Sequence, residues 1–231
     1  MNLEKEIKRC SQFELVSFDI FDTLIERQVC VPTDVFYLAG FNYFKDKNKA
    51  IFFKDCRIKA EAEARKNSST GETTLDDIYK VLQTGIKNST DVEALKKFEV
   101  ETELEQVHPR EELVQLCNTL VKKGMKIALI SDMYLTSDII REMLKKCGIE
   151  ESIPLFVSCE CNCNKISGKL FQHVDKTVGI PPQKHIHYGD SYKADYKGAK
   201  LAGIIPRFIL RKKLIQRLFR SLYARIRNKC R

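Results

Sequence analysis

Short apolar runs, each closed by a polar residue or glycine, alternate along this chain with stretches whose apolar positions recur every three to four residues. The runs at about 14–19, Lys126–Ile130, Pro154–Val157, His185–Tyr188 and Ile204–Leu210 predict buried strands. The stretches between them predict helices over Arg110–Lys123, with Pro109 at the favoured first-turn position and Gly124 as the stop, over Ser137–Lys146, Ser167–Val178 and Tyr192–Ala202. Strands and helices alternating with short joints predict a parallel sheet sandwiched between helices, a Rossmann-like three-layer α/β core.

One block breaks the alternation. After the first strand, residues 20–32 predict a turn and a small hairpin, with Gln28–Val31 extended and Pro32 closing it. From Thr33 to Val107 the periodicity is helical throughout: Thr33 or Asp34 opens a helix to Phe44, Asn48–Lys66 forms a second, Leu75–Leu82 a third ending near Gly85, and Thr90 caps a fourth over Asp91–Val107. The division is therefore a core of 1–29 with 108–210, a helical insert of 30–107, and a tail of 211–231. In the tail, Leu214, Ile215, Leu218, Phe219, Leu222 and Ile226 fall at helical spacing among arginines, predicting a basic amphipathic helix.

Charge sharpens that division. The net charge is +9, yet ten Lys/Arg and no Asp/Glu lie between Arg207 and Arg231, which leaves 30 basic against 31 acidic residues elsewhere. The basic character belongs to the tail, which suits an anionic membrane surface or an assembly partner, with a terminal helix packed on the core as the structural alternative. Nothing matches a nucleic-acid module. The absence of a long apolar run and a charged amino terminus predict a cytoplasmic protein, peripheral at the inner face of the membrane if the tail docks there. Nine scattered cysteines read as reduced thiols; Cys159, Cys161 and Cys163 alternate but lack a partner set for a tetrahedral zinc site.

Candidate chemistry sits where strands end. The first ends in Asp19, followed by Asp22 and Thr23; the second in Ser131-Asp132; the fourth in Gly189-Asp190, with Asp195 five residues on; Lys165 lies between the last two. In a parallel sheet the strand C-termini share one edge, where α/β proteins hold ligands, so these groups can converge. His185 and His187 read as structural residues of their strand.

These motifs, in this order, resemble the haloacid dehalogenase-like (HAD) superfamily of hydrolases: an apolar strand ending in D-x-x-x-T (Asp19–Thr23), a strand ending in Ser or Thr (Ser131), a Lys (Lys165), and GD followed by another Asp (Gly189-Asp190, Asp195). Residues 14–25 and 108–206 carry the likeness, and the helical insert resembles the family's cap between its first and second motifs. The resemblance implies Asp19 as a nucleophile that forms an aspartyl-phosphate, Lys165 as neutralising charge, Thr23, Ser131 and Asp132 around a phosphoryl group, and Mg²⁺ on Asp19, Asp190, Asp195 and the Phe21 carbonyl. A small phosphorylated substrate is the expected ligand. Sequences with the Phe18–Thr23 stretch resemble proteins found around bacterial surface-polysaccharide assembly and glycosyltransferases. Lys54, Arg57, Lys59 and Arg65 of the insert are candidate contacts for an anionic substrate.

One position departs from the pattern. Phosphatases of the superfamily carry a second Asp two residues after the nucleophile, as general acid and base; here that residue is Phe21. Such catalysis contributes about 10²–10⁴-fold. Three routes are open: a leaving group that needs little protonation, Asp22 as substitute acid, or a site that binds phosphate and turns over poorly. The last would make the chain a phosphate-ligand or partner-binding module. Dehalogenases of the superfamily also lack the second Asp but work without Mg²⁺, whereas Gly189-Asp190 with Asp195 resembles the metal-binding form.

Overall fold

A computed structural model describes residues 1–86 and 91–210. Its sheet contains β1 (Leu15–Asp19), β4 (Lys126–Ser131), β5 (Leu155–Val157), β6 (His185–Gly189) and β7 (Ile205–Phe208), in the order β5-β4-β1-β6-β7 with every pairing parallel. β1 is central and buried along its whole length, which is why it reads as a continuous apolar run rather than an alternating one.

The two faces of the sheet bury different things. Val16 and Phe18 of β1, with Leu129 of β4 and Ile186 of β6, join the larger core. It also takes residues from α1 (Leu3–Cys10), α6 (Glu111–Lys122) and α7 (Ser137–Lys146). Leu15, Ala128 and Ile130 point to the opposite face, where Leu170, Phe171 and Val174 of α9 (Lys169–Val178) and Ala199 of α10 (Ala199–Leu201) form a smaller cluster. By strand alternation, Ser17 and Asp19 share that second face.

The predicted hairpin is replaced by a longer connection. β2 (Ile25–Arg27) pairs antiparallel with β3 (Val107–Pro109), so the ribbon joins the two ends of the helical insert rather than two neighbouring segments. Pro109 ends this strand instead of opening a helix; α6 starts at Glu111, and the Arg110 N–H bonds to the Leu24 carbonyl. Residues 28–31 are not a strand, although the Gln28 N–H still reaches the Gln106 carbonyl.

Between β2 and β3 stand α2 (Asp34–Phe44), α3 (Lys47–Asn67), α4 (Leu75–Gly85) and α5 (Val92–Gln106). Thr74 and Asp77 form a reciprocal capping box on α4. Asp91 caps α5 by accepting from the Ala94 N–H, while the expected cap Thr90 lies outside the described residues. Arg57 of α3 is fully buried: its guanidinium bonds Glu99 of α5 at 2.8–3.2 Å and lies 4.4 Å from the Phe36 ring centroid and 4.7 Å from that of Tyr134. It therefore ties the insert helices together and to Tyr134, within the larger core. Lys54 pairs with Asp34, and Arg65 with Glu61 and Glu72, so three of the four basic residues expected to meet substrate are held by carboxylates, while Lys59 is exposed on α3.

The predicted helix over 192–202 begins as a π-helix, Tyr192–Gly198, before continuing as α10. The Cys159–Cys163 stretch forms a short helix, α8 (Ser158–Cys161), and the loop after it, with free thiols. Among the described residues no helix is long and apolar enough to cross a membrane. The tail, 211–231, lies outside the described residues.

Candidate active site

Three strand ends deliver the site. β1 brings Asp19, β4 brings Ser131 and β6 leads into Asp190, all at the C-terminal edge of the sheet, and Lys165 and Asp195 arrive from the segments that cover its second face. All five are at least nine-tenths buried. Lys165 Nζ donates to Asp19 Oδ1 at 2.5 Å and to Asp195 Oδ1 at 2.6 Å. Thr23 Oγ1 donates to Asp190 Oδ1 at 3.5 Å.

The local backbone explains how a lysine comes to sit between two buried acids. Both Asp132 oxygens accept from the Lys165 N–H, at 2.9 and 3.1 Å, so Asp132 holds the base of the lysine's own loop. Two glycines leave the space. A Cβ on Gly189 would stand 2.3 Å from Asp195 Cγ, and one on Gly198 would stand 1.9 Å from the Lys165 carbonyl oxygen. The π-helix carries Asp195 over Gly189, where its Oδ2 accepts from the Ser191 N–H at 2.8 Å.

The two acids differ in what surrounds them. Burial raises both carboxyls and Lys165 lowers both. For Asp195 the Lys165 charge, and after it a hydrogen bond from His187, outweigh burial and hold the carboxyl well below the usual carboxylate range. Asp19 has one oxygen on Lys165, while Oδ2 is buried with no hydrogen-bond partner; burial and the nearby Asp195 push its carboxyl up to about 7. Burial opposes the Lys165 charge, but Asp19, Asp195 and Asp132 outweigh it and raise the ammonium's pKa.

Donor oxygens of Asp19, Asp190 and Asp195 all lie within 4.8 Å of one another, and among the described residues this is the one group of three or more His, Cys, Asp or Glu side chains placed to hold a metal ion. Three carboxylates against one lysine leave a surplus of negative charge, and Asp19 Oδ2 is an orphaned acceptor in that surplus. Hard oxygen donors of this kind fit Mg²⁺.

Phe21 and Asp22 lie on the turn after β1. Phe21 bridges to Ile25, and the Arg27 guanidinium covers its ring at 4.4 Å while bonding Glu103 of α5 at 2.7 and 3.0 Å. Asp22 takes a left-handed conformation (φ 62°), with its N–H on the Ile25 carbonyl at 2.7 Å and its own carbonyl accepting from Arg110 at 2.9 Å. Arg27 is also where the Asp22 charge is felt, after the larger effects of burial, Glu103 and Tyr134. A mainly apolar cavity of about 460 Å³ opens beside this turn, lined by Arg27, Phe36, Ile58, Met133 and Tyr134 among others.

The structure also recruits residues the sequence reading set aside. Ser17, His185 and His187 lie on the same sheet face as Asp19, in adjacent strands, with Ser17 opposite His187 in register. His187 Nε2 is 3.2 Å from Asp195 Oδ1; its Nδ1 is 2.7 Å from Ser17 Oγ; His185 Nε2 is 2.6 Å from the same hydroxyl, and its Nδ1 is 2.6 Å from Asp175 Oδ1. Burial keeps His187 neutral, at about 4, against the pull of Asp195. The signal was present: two histidines and a serine within fully buried strands.

A family model described as haloacid dehalogenase-like hydrolase matches residues 13–203. The chain is 28% identical over 212 residues to the haloacid dehalogenase-like hydrolase domain-containing protein 3 of Xenopus laevis, covering 82% of this chain and 81% of that protein. Among solved structures, the 2-haloacid dehalogenase of Pseudomonas syringae superposes with a TM-score of 0.61 at 16% identity, over 85% of this chain and 86% of that one. The magnesium-bound putative HAD-hydrolase YfnB of Bacillus subtilis gives 0.58 at 18%, over 86% and 89%. At those identities the structural likenesses show the fold alone. With its motifs gathered at the sheet edge and the family model spanning core and insert, this chain belongs to the haloacid dehalogenase-like hydrolases.

Proposed function

We propose that the protein is a Mg²⁺-dependent phosphohydrolase or phosphotransferase that works through an aspartyl-phosphate at Asp19. The observation that carries this reading is the state of the Asp19 carboxylate: Oδ1 is held by Lys165, Oδ2 is buried without a hydrogen-bond partner, and an oxygen of Asp19 lies within 4.8 Å of oxygens of Asp190 and Asp195. Lys165 orients Asp19 and keeps its oxygens from being the only charge facing an incoming phosphate. An Asp19 oxygen attacks phosphorus, the bond to the leaving oxygen breaks, and the phosphoryl group stays on the carboxylate; water or a second acceptor then takes it and restores Asp19. Asp19, Asp190, Asp195 and the Phe21 carbonyl would hold the ion. Bound Mg²⁺ would offset the charge on the phosphoryl oxygens and align them.

The same charge count favours this over dehalogenation. Three acids against one lysine suit a site that takes a divalent cation together with a phosphate, whereas dehalogenation of a haloacid's carboxylate calls for no such surplus of negative charge. The acid that phosphatases keep two residues after the nucleophile is absent, and the space around Phe21 is taken by Arg27 and its partner Glu103. The substrates we propose are therefore acyl phosphates or diphosphates, whose leaving groups depart without a proton.

The test is a panel of acetyl phosphate, diphosphate esters, aryl phosphates and alkyl phosphates, with and without Mg²⁺. The expected order places acetyl phosphate at least tenfold above any alkyl phosphate in kcat/KM, with Asp19→Asn inactive on all. Equal rates on acyl and alkyl phosphates would overturn the leaving-group reading; activity that survives Asp19→Asn would overturn the nucleophile.

A further inference from the structure

We propose that His187 is a positioning residue: it fixes the Asp195 carboxylate against Lys165, and is itself fixed by the buried chain Ser17–His185–Asp175. The inference rests on Lys165 and Asp19 being the working pair of the reading above.

Every member of the chain is buried: Ser17, His185 and His187 completely, Asp175 and Asp195 nearly so. Asp195 Oδ1 is shared by Lys165 Nζ and His187 Nε2, and Oδ2 takes the Ser191 N–H. Gly189, lacking a Cβ, lets the Asp195 carboxylate sit directly against the strand, and these three donors fix which way its oxygens face. If Asp195 turns, Lys165 loses one of the two carboxylates that hold its Nζ, and its charge is left to Asp19 alone.

Counting donors gives the chain a direction. Asp195 carries only acceptors, so His187 must present Nε2–H to it, which leaves His187 Nδ1 as an acceptor. Ser17 then donates its hydroxyl to His187 Nδ1 and accepts from His185 Nε2–H. One further proton lies between His185 Nδ1 and Asp175 Oδ1. The three bonds from His185 through Ser17 and His187 thus all donate toward Asp195. Phe171 of α9, edge-on to the His187 ring with centroids 4.7 Å apart, holds the ring plane. Reversing any link would set two acceptors face to face in a buried site, where unmet polar groups are expensive.

Groups that orient a ligand or catalytic side chain from behind are typically worth 10–100-fold in activity. The experiment compares His187→Leu, which keeps the volume roughly and removes both nitrogens, with His187→Gln, whose amide can still donate to Asp195. Assayed on acetyl phosphate, the expected result is a 10–100-fold fall in kcat for His187→Leu with KM within threefold, and recovery of most of that loss in His187→Gln. Equal kcat in both folded variants, or a His187→Leu kcat within twofold of wild type, would overturn the proposal. The second readout needs no turnover: long-range ¹⁵N–¹H NMR of the wild-type protein without metal. His187 protonated on Nε2 and bare on Nδ1 supports the chain; a proton on Nδ1 with bare Nε2 overturns it. A wild-type protein inactive on every phosphate would count against the phosphohydrolase reading while leaving the NMR result to decide the positioning.

Discussion

Gly198 gives the sharpest mutational test of how Lys165 is placed. The residue is helical (φ −63°, ψ −42°), so alanine suits its backbone, and helix propensity alone favours Gly→Ala by about 1 kcal/mol. Sterics act the other way. The added Cβ would lie 1.9 Å from the Lys165 carbonyl oxygen and 2.8 Å from its carbon, both backbone atoms that no rotamer change can move. Restoring an ordinary contact requires the 165 carbonyl to retreat by roughly 1.5 Å. Overpacking of this kind costs up to about 3 kcal/mol, so the net loss is about 2 kcal/mol. For a chain of this size that is a fall of roughly 4–8 °C in Tm. The same retreat pulls Nζ from its 2.5 and 2.6 Å bonds, and a displacement near 1 Å in a catalytic group costs on the order of 10²-fold in kcat. Gly85, with nothing within 4 Å of an added Cβ, is the control, and Gly85→Ala should leave both quantities unchanged or slightly improved. Thermal unfolding followed by circular dichroism, with kcat on acetyl phosphate, reads both effects. If Gly198→Ala melts within 1 °C of wild type and keeps kcat within twofold, the placement of the Lys165 loop is wrong.

Glu99→Gln should destabilise the insert severely: it leaves Arg57 buried without its principal counter-charge, a loss of about 3–5 kcal/mol in urea unfolding, whereas a value below about 1 kcal/mol would mean that Glu61, which already holds Arg57 Nη1 at 3.2 Å, suffices. Burial raises the Glu6 carboxyl, but hydrogen bonds from Arg207, Arg9 and Tyr188 outweigh it and set it at about 2 against an ordinary 4.5. Because the folded value is the lower one, Glu6 stabilises the fold fully above pH 4.5 and loses that contribution as pH falls toward 2. Glu6→Gln should thus be less stable at neutral pH and show a flatter stability profile across that window; parallel profiles would assign the acid sensitivity elsewhere. Phe21→Asp places a carboxylate beside Arg27, whose charge would keep it ionised; the single variant should gain less than tenfold on alkyl phosphates, and a 10²-fold gain would show that Arg27 does not control that position.

Much of the core was legible in the sequence because its strands are buried on both faces and end at ligand-bearing positions. Asp19, Ser131 and Asp190 could be placed from strand ends alone. What escaped was set by tertiary contact. The π-helix at Tyr192–Gly198 follows from the need to carry Asp195 over Gly189 and to seat Gly198 on the Lys165 backbone, neither visible in local periodicity. The sequence pattern places Pro109 in the first turn of a helix, where proline is favoured; pairing with Ile25 across the insert makes it the end of a strand instead. Arg57 carries the signature of a solvated cation, and only its Glu99, Phe36 and Tyr134 neighbours make it core. His185 and His187 read from the sequence as structural residues of their strand; the chain reaching Asp195 depends on the pairing of β6 with β1, which sets Ser17 opposite His187. Asp132 was grouped with the phosphate contacts, whereas its oxygens secure the Lys165 N–H.

The most direct test of a nucleophilic Asp19 is to trap its phosphorylated form. The protein, turning over acetyl phosphate with Mg²⁺, is quenched in acid, reduced with borohydride and digested for mass spectrometry. An acyl-phosphate at Asp19 is reduced to homoserine, and that mass change at position 19, absent without Mg²⁺ and in Asp19→Asn, is the expected result. Turnover without any change at position 19, or with the change at Asp22 instead, would contradict it.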